Sequence, residues 1–350
     1  MRTIGISHKT RYWQHYCFSN PPAGYRYERK LDIPWHMVGI KAEFLANTKF
    51  FMPFSHADLL HTYNGVVANP RPWVIEVEDY MPRYETMSPR NPLYKWALRR
   101  LAGSDCKAMI FTSRNAMRRN EEHLLAAGVD PGKMSVIYRA VEQYAPKPRD
   151  ERYFTIVFAG NGFYRKGGVE LLKAFKRSGR PEVRLVIIST LEVDWGVFPE
   201  QEVIAWAERT IAEDPRITLR GKLPHEQLID HMRSADLFVS TTFLDPFNNT
   251  VLEAMGTGLP VICSDAGAIP EVARDGVNGW VLPVTGRNSD DIAEEIGARI
   301  LQLMDDPALR GRMGEANRAI LAEHFDLEVR NAALVKLYDK ALGDHQAGPR

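Results

Sequence analysis

Apolar residues come in short runs through the second half of the chain, and most runs are followed by a stretch with helical spacing. YFTIVFAG (153–160) and VRLVIIST (183–190) are strand-length apolar runs rich in β-branched residues, and RITLRG, DLFVST, PVICSD and GWVLPV repeat the pattern further on. Between the first two, GGVELLKAFKRS (167–178) sets Val169, Leu171, Leu172 and Phe175 at helical spacing. The same periodicity predicts helices near 200–213, 224–234, 249–257 and 268–275. Such alternation implies parallel strands joined by crossover helices, a doubly wound sheet. Sheets of this kind bind ligands at the C-terminal ends of their strands. That rule singles out the loops after Phe158–Gly160, Val239–Thr242 and Ile262–Asp265.

The first half is less regular. RTIGI, ADLLHTY, WVIEVED, CKAMIFTS and MSVIY have the character of strands, and SRNAMRRNEEHLLAAG that of a helix capped by Ser113 and stopped at Gly128. AVEQYAPKPRDER (140–152), with two prolines and many charges, reads as a linker between domains. The last ~60 residues have helical patterning throughout. A chain of 350 residues is long enough for two cores. The expected division is a first domain over 1–145, a second over 146–325, and a C-terminal helix over 326–350 that packs back on the first.

Composition narrows the class. The chain is 45% hydrophobic and 25% charged, as in globular proteins, and no run approaches the ~18 apolar residues of a membrane helix. The N-terminus lacks a positive-then-apolar export pattern. Cys17, Cys106 and Cys263 are odd in number and scattered, which argues against a disulfide framework and a zinc site, and for a cytoplasmic setting. The net charge of +1 conceals an asymmetry: residues 1–150 hold 22 Lys and Arg against 14 Asp and Glu, and residues 151–350 hold 23 against 30. A basic first half beside an acidic second half suggests two domains with different partners. The basic surface suits anionic lipid or a phosphate-bearing molecule, and no nucleic acid is expected.

The densest chemistry lies in DPFNNTVLEAMGTGLP (245–260). Asp245 and Glu253 stand eight positions apart, the first before a turn and the second inside a helix that starts near Asn249. The first turn of that helix, with the backbone N–H groups of Thr250 and Val251, is a place for a phosphate, and carboxylates beside it can accept from hydroxyls. Anion and hydroxyls together describe a nucleotide-sugar. In FAGNGFYRKGG (158–168), Gly160 and Gly162 permit close backbone approach and the adjacent cations Arg165 and Lys166 can neutralise a diphosphate. No cation stands at i±4 from Glu253, so it has no helical ion pair to make along its own helix.

These blocks carry a resemblance. The first resembles the E-x7-E region of retaining family 4 glycosyltransferases, with Asp245 at the position of the first glutamate. FAGNGFYRKGG is similar to the donor loop of lipopolysaccharide glucosyltransferases in that family, and DAGAIPEVARDGVNGWVLP (265–283) to its Pro-Glu…Asn-Gly segment. The likeness is good over 153–345 and faint before 105. It implies an α/β GT-B-like fold, two Rossmann-like doubly wound domains facing across a cleft, with a nucleotide-diphosphate sugar on the second. It implies transfer of a hexose-type sugar to a hydroxyl, with a glycan or lipid-linked glycan of cell-envelope polysaccharide synthesis as acceptor. On this reading Arg165 and Lys166 hold the donor diphosphate, Glu253 the ribose, Asp245 the sugar, and Asn248 and Asn249 shape the helix entrance. Asn248 stands where the family often has glycine, which suggests a left-handed backbone there.

The first half adds candidates. The family often ends a middle strand with a histidine that touches the sugar; here WVIEVEDY places Glu78 there, with Asp79 beside it, and His61 is a second candidate on the acceptor side. Acids at a strand end can hold a divalent metal, which would involve Glu76, Glu78 and Asp79. Because Arg165 and Lys166 can do a metal's neutralising work, no metal and no other cofactor is expected. Arg11, Tyr12, Trp13, Tyr16 and Phe18 make a basic-aromatic cluster, and LYKWALRRLAG (93–103) mixes basic and apolar residues at helical spacing. Both patterns suit a peripheral contact with the inner face of an anionic membrane, and both are also compatible with core packing. Two rival activities share the features: a nucleotide-sugar 2-epimerase and a non-catalytic donor-binding subunit.

Overall fold

The computed structural model describes residues 1–7, 18, 20–33, 43–52, 56–84 and 86–343. It divides into two compact units, one of Met1–Ala140 with His324–Arg350 and one of Val141–Glu323. Among the described residues no helix is long and apolar enough to cross a membrane.

The first unit contains β1 (Arg2–Ser7), β2 (Tyr25–Lys30), α1 (Glu43–Ala46), β3 (Thr48–Lys49), β4 (Leu59–Tyr63), β5 (Val66–Val67), β6 (Trp73–Val77), α2 (Pro92–Ala102), β7 (Cys106–Phe111), α3 (Arg114–Ala126) and β8 (Met134–Val136). Six of its strands form a parallel sheet in the order β2-β1-β4-β6-β7-β8, and β3 pairs with β5 apart from it. β4 and β6 are buried along their whole length, as their apolar runs require. Ser113 caps α3 by accepting from the Ala116 N–H at 2.9 Å, and Gly128 follows at φ +84°, as expected of the stop.

The second unit contains β9 (Phe154–Ala159), α4 (Gly168–Ser178), β10 (Val183–Ile188), α5 (Gln201–Glu213), β11 (Ile217–Leu219), α6 (His225–Arg233), β12 (Leu237–Ser240), α7 (Asn249–Gly256), β13 (Val261–Ser264), β14 (Gly279–Leu282), α8 (Ser289–Asp305) and α9 (Pro307–His324). Its parallel sheet has the order β11-β10-β9-β12-β13-β14. This is the doubly wound arrangement in which the chain winds one way from β9 and the other way from β12, so the loops leaving those two strands open side by side. The core runs from the sheet (Ile156, Phe158) to α4 (Leu172, Phe175) and α8 (Ile296, Ile300). Each fully buried side chain of this kind contributes roughly 1.5–3 kcal/mol.

Two expectations change. The helix expected over 268–275 is a single 3-10 turn, Ile269–Glu271, because Gly267 and Gly276 both take positive φ around it and Pro270 supplies no N–H. The linker over 140–152 has no regular structure but is tied to the second unit. The Tyr144 N–H donates to the Gly256 carbonyl at 2.9 Å and the Lys147 N–H to Arg233 at 2.9 Å, while Arg318 donates to the Tyr144 carbonyl at 3.0 Å.

The last helix, α10 (Leu327–Leu342), belongs to the first unit, where Leu334 and Tyr338 pack among Ile4, Leu59 and Ile110. Here His61 departs from its expected acceptor-side role. It is 1% exposed, its Nδ1 is 2.7 Å from the Tyr338 hydroxyl, and its Nε2 is 3.5 Å from Glu76. Glu76 in turn accepts from Arg330. Burial, reinforced by the Arg330 charge and opposed by Glu76, holds the His61 pKa down at about 4. Burial pulls the Glu76 pKa up, but Arg330 and His61 outweigh it and the net shift is downward. Both groups bind protons more readily in the unfolded chain. Stability therefore falls as pH drops from the ordinary histidine range near 6.5 toward 4, by up to about 3 kcal/mol for His61. Denaturant melts at pH 7 and pH 5 should show this loss, and His61→Gln should lose less; equal losses would remove His61 as the cause.

Candidate functional site

The site is built where β9 and β12 end. β9 delivers Gly160, at φ +137°, and then Gly162 at φ +81°. These glycines make room for side chains: a Cβ on Gly160 would meet the Lys166 chain, and one on Gly162 would meet Asp194. Gly167, at φ +81°, passes so close to Thr241 that no side chain fits. The Phe243 N–H donates to the Arg165 carbonyl at 2.9 Å, which joins the loop after β12 to the loop after β9.

The two cations converge on one oxygen. Lys166 Nζ is 2.7 Å and Arg165 Nη1 3.6 Å from Oδ2 of Asp245, although Lys166 and Asp245 stand 79 positions apart in sequence. Arg165 is 5% and Lys166 8% exposed. Asp245 is held by the third sequence block: the Ala268 N–H donates to the Pro246 carbonyl at 3.1 Å, and Gly267 takes φ +59° where a Cβ would strike the Asp245 carbonyl.

Asn248 behaves differently from expectation. Its backbone is extended, φ −77°, so no left-handed conformation is needed, and its side chain does not cap α7. Instead Oδ1 accepts from Lys166 at 3.3 Å and from the Thr250 hydroxyl at 2.6 Å, while Nδ2 donates to Ser240 at 3.0 Å. The α7 entrance is thus left without a side-chain cap beside Lys166. The Val251 N–H, expected to face a phosphate, donates to the Asn248 carbonyl at 3.1 Å. Asn249 opens α7, and Thr250 also reaches the Ala159 carbonyl at 3.3 Å.

Glu253 lies further along α7 and is 4% exposed. It has a partner that its own helix could not reveal: Oε1 is 3.0 Å from Nε2 of His225, the first residue of α6. Its other oxygen, Oε2, is buried with no hydrogen-bond partner. Burial pushes the Glu253 pKa up to about 8. A buried carboxyl with one unmatched oxygen is suited to a ligand hydroxyl.

Two further residues of the site carry no local signal in the sequence. Asp194, in the loop after β10, takes Arg165 Nε at 3.0 Å and Nη2 at 2.8 Å, and Trp195 lies over the guanidinium at 4.3 Å. The sheet order places β10 beside β9 and so supplies the signal that the sequence lacked.

Glu78 and His61 belong to the first unit. Glu78 accepts from Arg139 at 2.8 Å, Asp79 pairs with Arg119, and Glu76 with Arg330. The three acids considered as a metal set thus each hold a different arginine, and among the described residues no group of three or more His, Cys, Asp or Glu could hold a metal ion. Of the basic-aromatic cluster, Arg11, Tyr12, Trp13 and Tyr16 lie outside the described residues, as does Cys17. Phe18 is buried against Tyr27 and His61. Cys106 and Cys263 are free and buried.

Comparison with known proteins bears on this arrangement. The family described as glycosyl transferases group 1 matches residues 142–320, half of the chain and nearly all of the second unit. The chain belongs to this family. The chain is 33% identical over 125 residues to D-inositol 3-phosphate glycosyltransferase of Streptomyces griseus, covering 36% of this chain and 25% of that one. It is 28% identical over 169 residues to alpha-maltose-1-phosphate synthase of Mycobacterium tuberculosis, covering 48% and 43%. The chain thus spans less than half the length of these relatives. Among solved structures it is similar to Anabaena Alr3699/HepE in complex with UDP (TM-score 0.64, 16% identity, 97% of this chain and 100% of that one). It is also similar to a glycosyltransferase from Rickettsia africae (TM-score 0.61, 15% identity, 83% and 78%). At such identities the likeness speaks for the fold, and that fold is the two-sheet GT-B architecture.

Proposed function

We propose that the protein is a retaining, family 4-type hexosyltransferase whose Val141–Glu323 unit takes a nucleotide-diphosphate sugar. The observation that carries this reading is the convergence of Arg165 and Lys166 on Asp245 Oδ2 beside the uncapped start of α7. A diphosphate placed there meets two cations and a helix N-terminus. Glu253 Oε2 then accepts from a ribose hydroxyl, and Asp245 turns to the sugar. The Anabaena neighbour has also been solved with UDP and glucose, which fits a donor of this class. In the reaction the bond from the anomeric carbon to the diphosphate oxygen breaks, and one forms to the acceptor hydroxyl oxygen, whose proton passes to the departing diphosphate. The charge that grows on the departing diphosphate is met by Arg165 and Lys166.

On the same reading Glu78 contributes to sugar or acceptor contact, and the acceptor is a glycan or lipid-linked glycan presented at an anionic membrane surface. The support is the excess of 22 basic over 14 acidic residues in the first 150; each Lys or Arg near such a surface contributes about 1 kcal/mol. No metal is needed, because the two cations neutralise the leaving group.

The test is a panel of UDP-, GDP- and ADP-sugars. One of them should raise the melting temperature, as any ligand that binds only the folded state does. That donor should release its nucleoside diphosphate when acceptor glycolipid is supplied in anionic vesicles, at a rate that EDTA leaves unchanged. Stabilisation without transfer under any acceptor would favour a binding subunit, conversion of the donor to an epimer would favour the isomerase, and activity restored to chelated protein by Mg²⁺ or Mn²⁺ would overturn the metal-free reading.

A further inference from the structure

Arg165 is held in a way that the donor site alone does not require. A guanidinium is a planar fork with two usable edges. Here the Nε/Nη2 edge lies on Asp194, with Nε at 3.2 and 3.0 Å from its two oxygens and Nη2 at 2.8 Å from one of them. The indole of Trp195 covers one face at 4.3 Å, and Nη2 also reaches the Asn161 carbonyl at 3.5 Å. The remaining corner, Nη1, donates to the Leu244 carbonyl at 2.6 Å and points at Asp245 Oδ2, where Lys166 also points. Gly162 is part of the device, since a side chain there would occupy the space that Asp194 uses. Arg165 is 5% exposed, so the ion pair with Asp194 is not an ordinary surface pair.

We infer that Asp194, with Trp195 stacked above, is a positioning residue: it grips the back edge of Arg165 so that Nη1 is already aimed at the diphosphate subsite before donor arrives. A long side chain with this many rotatable bonds would otherwise have to be ordered on binding. The loop after β10 thereby sets the strength of diphosphate recognition without touching the diphosphate. The inference rests on the donor-site reading above.

Calorimetric titration of the full chain with UDP, GDP and ADP, each beside its nucleoside, separates the two. For the diphosphate that binds, Asp194→Ala should weaken affinity about tenfold and lower kcat, while nucleoside affinity changes little. Asp194→Asn, which keeps the shape and one acceptor, should recover part of the loss. Because Asp194 acts through Arg165, adding Asp194→Ala to Arg165→Ala should bring no further loss of diphosphate affinity. Unchanged or tighter diphosphate binding by Asp194→Ala, or losses that simply add in the double variant, would overturn the positioning role while leaving the donor site standing. If Arg165→Ala itself leaves diphosphate affinity intact, the donor-site reading falls and the positioning role with it.

Discussion

Replacing Lys166 by alanine should lower turnover about 100-fold or more while changing affinity for the bare nucleoside little, and Arg165→Ala should do the same. The reason lies in where charge moves. A sugar nucleotide already carries diphosphate charge when it binds, but breaking the anomeric bond adds charge to the leaving oxygen. Cations fixed beside that oxygen gain more in the transition state than in the ground state. Removing one such fixed partner costs about 2.7–4 kcal/mol, a factor of about 100 to 1,000. The geometry favours the upper part of that range for Lys166, which is almost fully buried and braced by Asn248 as well as Asp245. Steady-state rates and nucleoside titrations on the same preparations are the measurement. Wild-type rates in both variants would place the donor elsewhere.

Glu253→Ala should weaken binding of the nucleoside diphosphate by roughly 1.5–3 kcal/mol, the worth of hydrogen bonds to a charged group, with the fold retained. A pH dependence comes with it. With burial holding its pKa at about 8, the Glu253 carboxyl is mostly protonated at pH 7. Ribose hydroxyls donate best to the ionised form, so the ligand must draw a proton off. Affinity for the nucleoside diphosphate should rise as pH climbs from 7 through 8 and then level. Glu253→Gln, which cannot ionise, should show a flat profile over the same window. A wild-type profile that is flat, or a Gln variant that keeps the slope, would dissociate Glu253 from the ribose.

How much of this was legible in the sequence follows from which signals are local. The strands of the second unit announce themselves because parallel strands are apolar throughout; VRLVIIST needs no neighbour to be recognised. β2 does not: YRYERK lies at the sheet edge, Arg26 and Arg29 are exposed, and only Tyr25 is fully buried. The pairing of the glycine-and-cation loop with the Asp245 block was legible because both follow predicted strands. Their partners Asp194 and His225 were not, since each acts from a loop or helix start whose neighbours depend on strand order. His61 shows the converse error. A histidine near a strand end suggests a ligand contact, whereas α10, some 277 positions later in the chain, closes over it with Tyr338.

Asp245 also decides how charge is balanced around the two cations. With its Oδ2 at the meeting point of two nearly buried cations, the pocket carries its own counterion. Stripping a buried charge of its partner is costly, on the order of 3–5 kcal/mol. In the proposed reading, then, a nucleotide arrives by exchange, one anion taking the place of another, and its departure returns Asp245 to Lys166. The two cations are thus compensated before and after the exchange, and the carboxylate that gives way is Asp245.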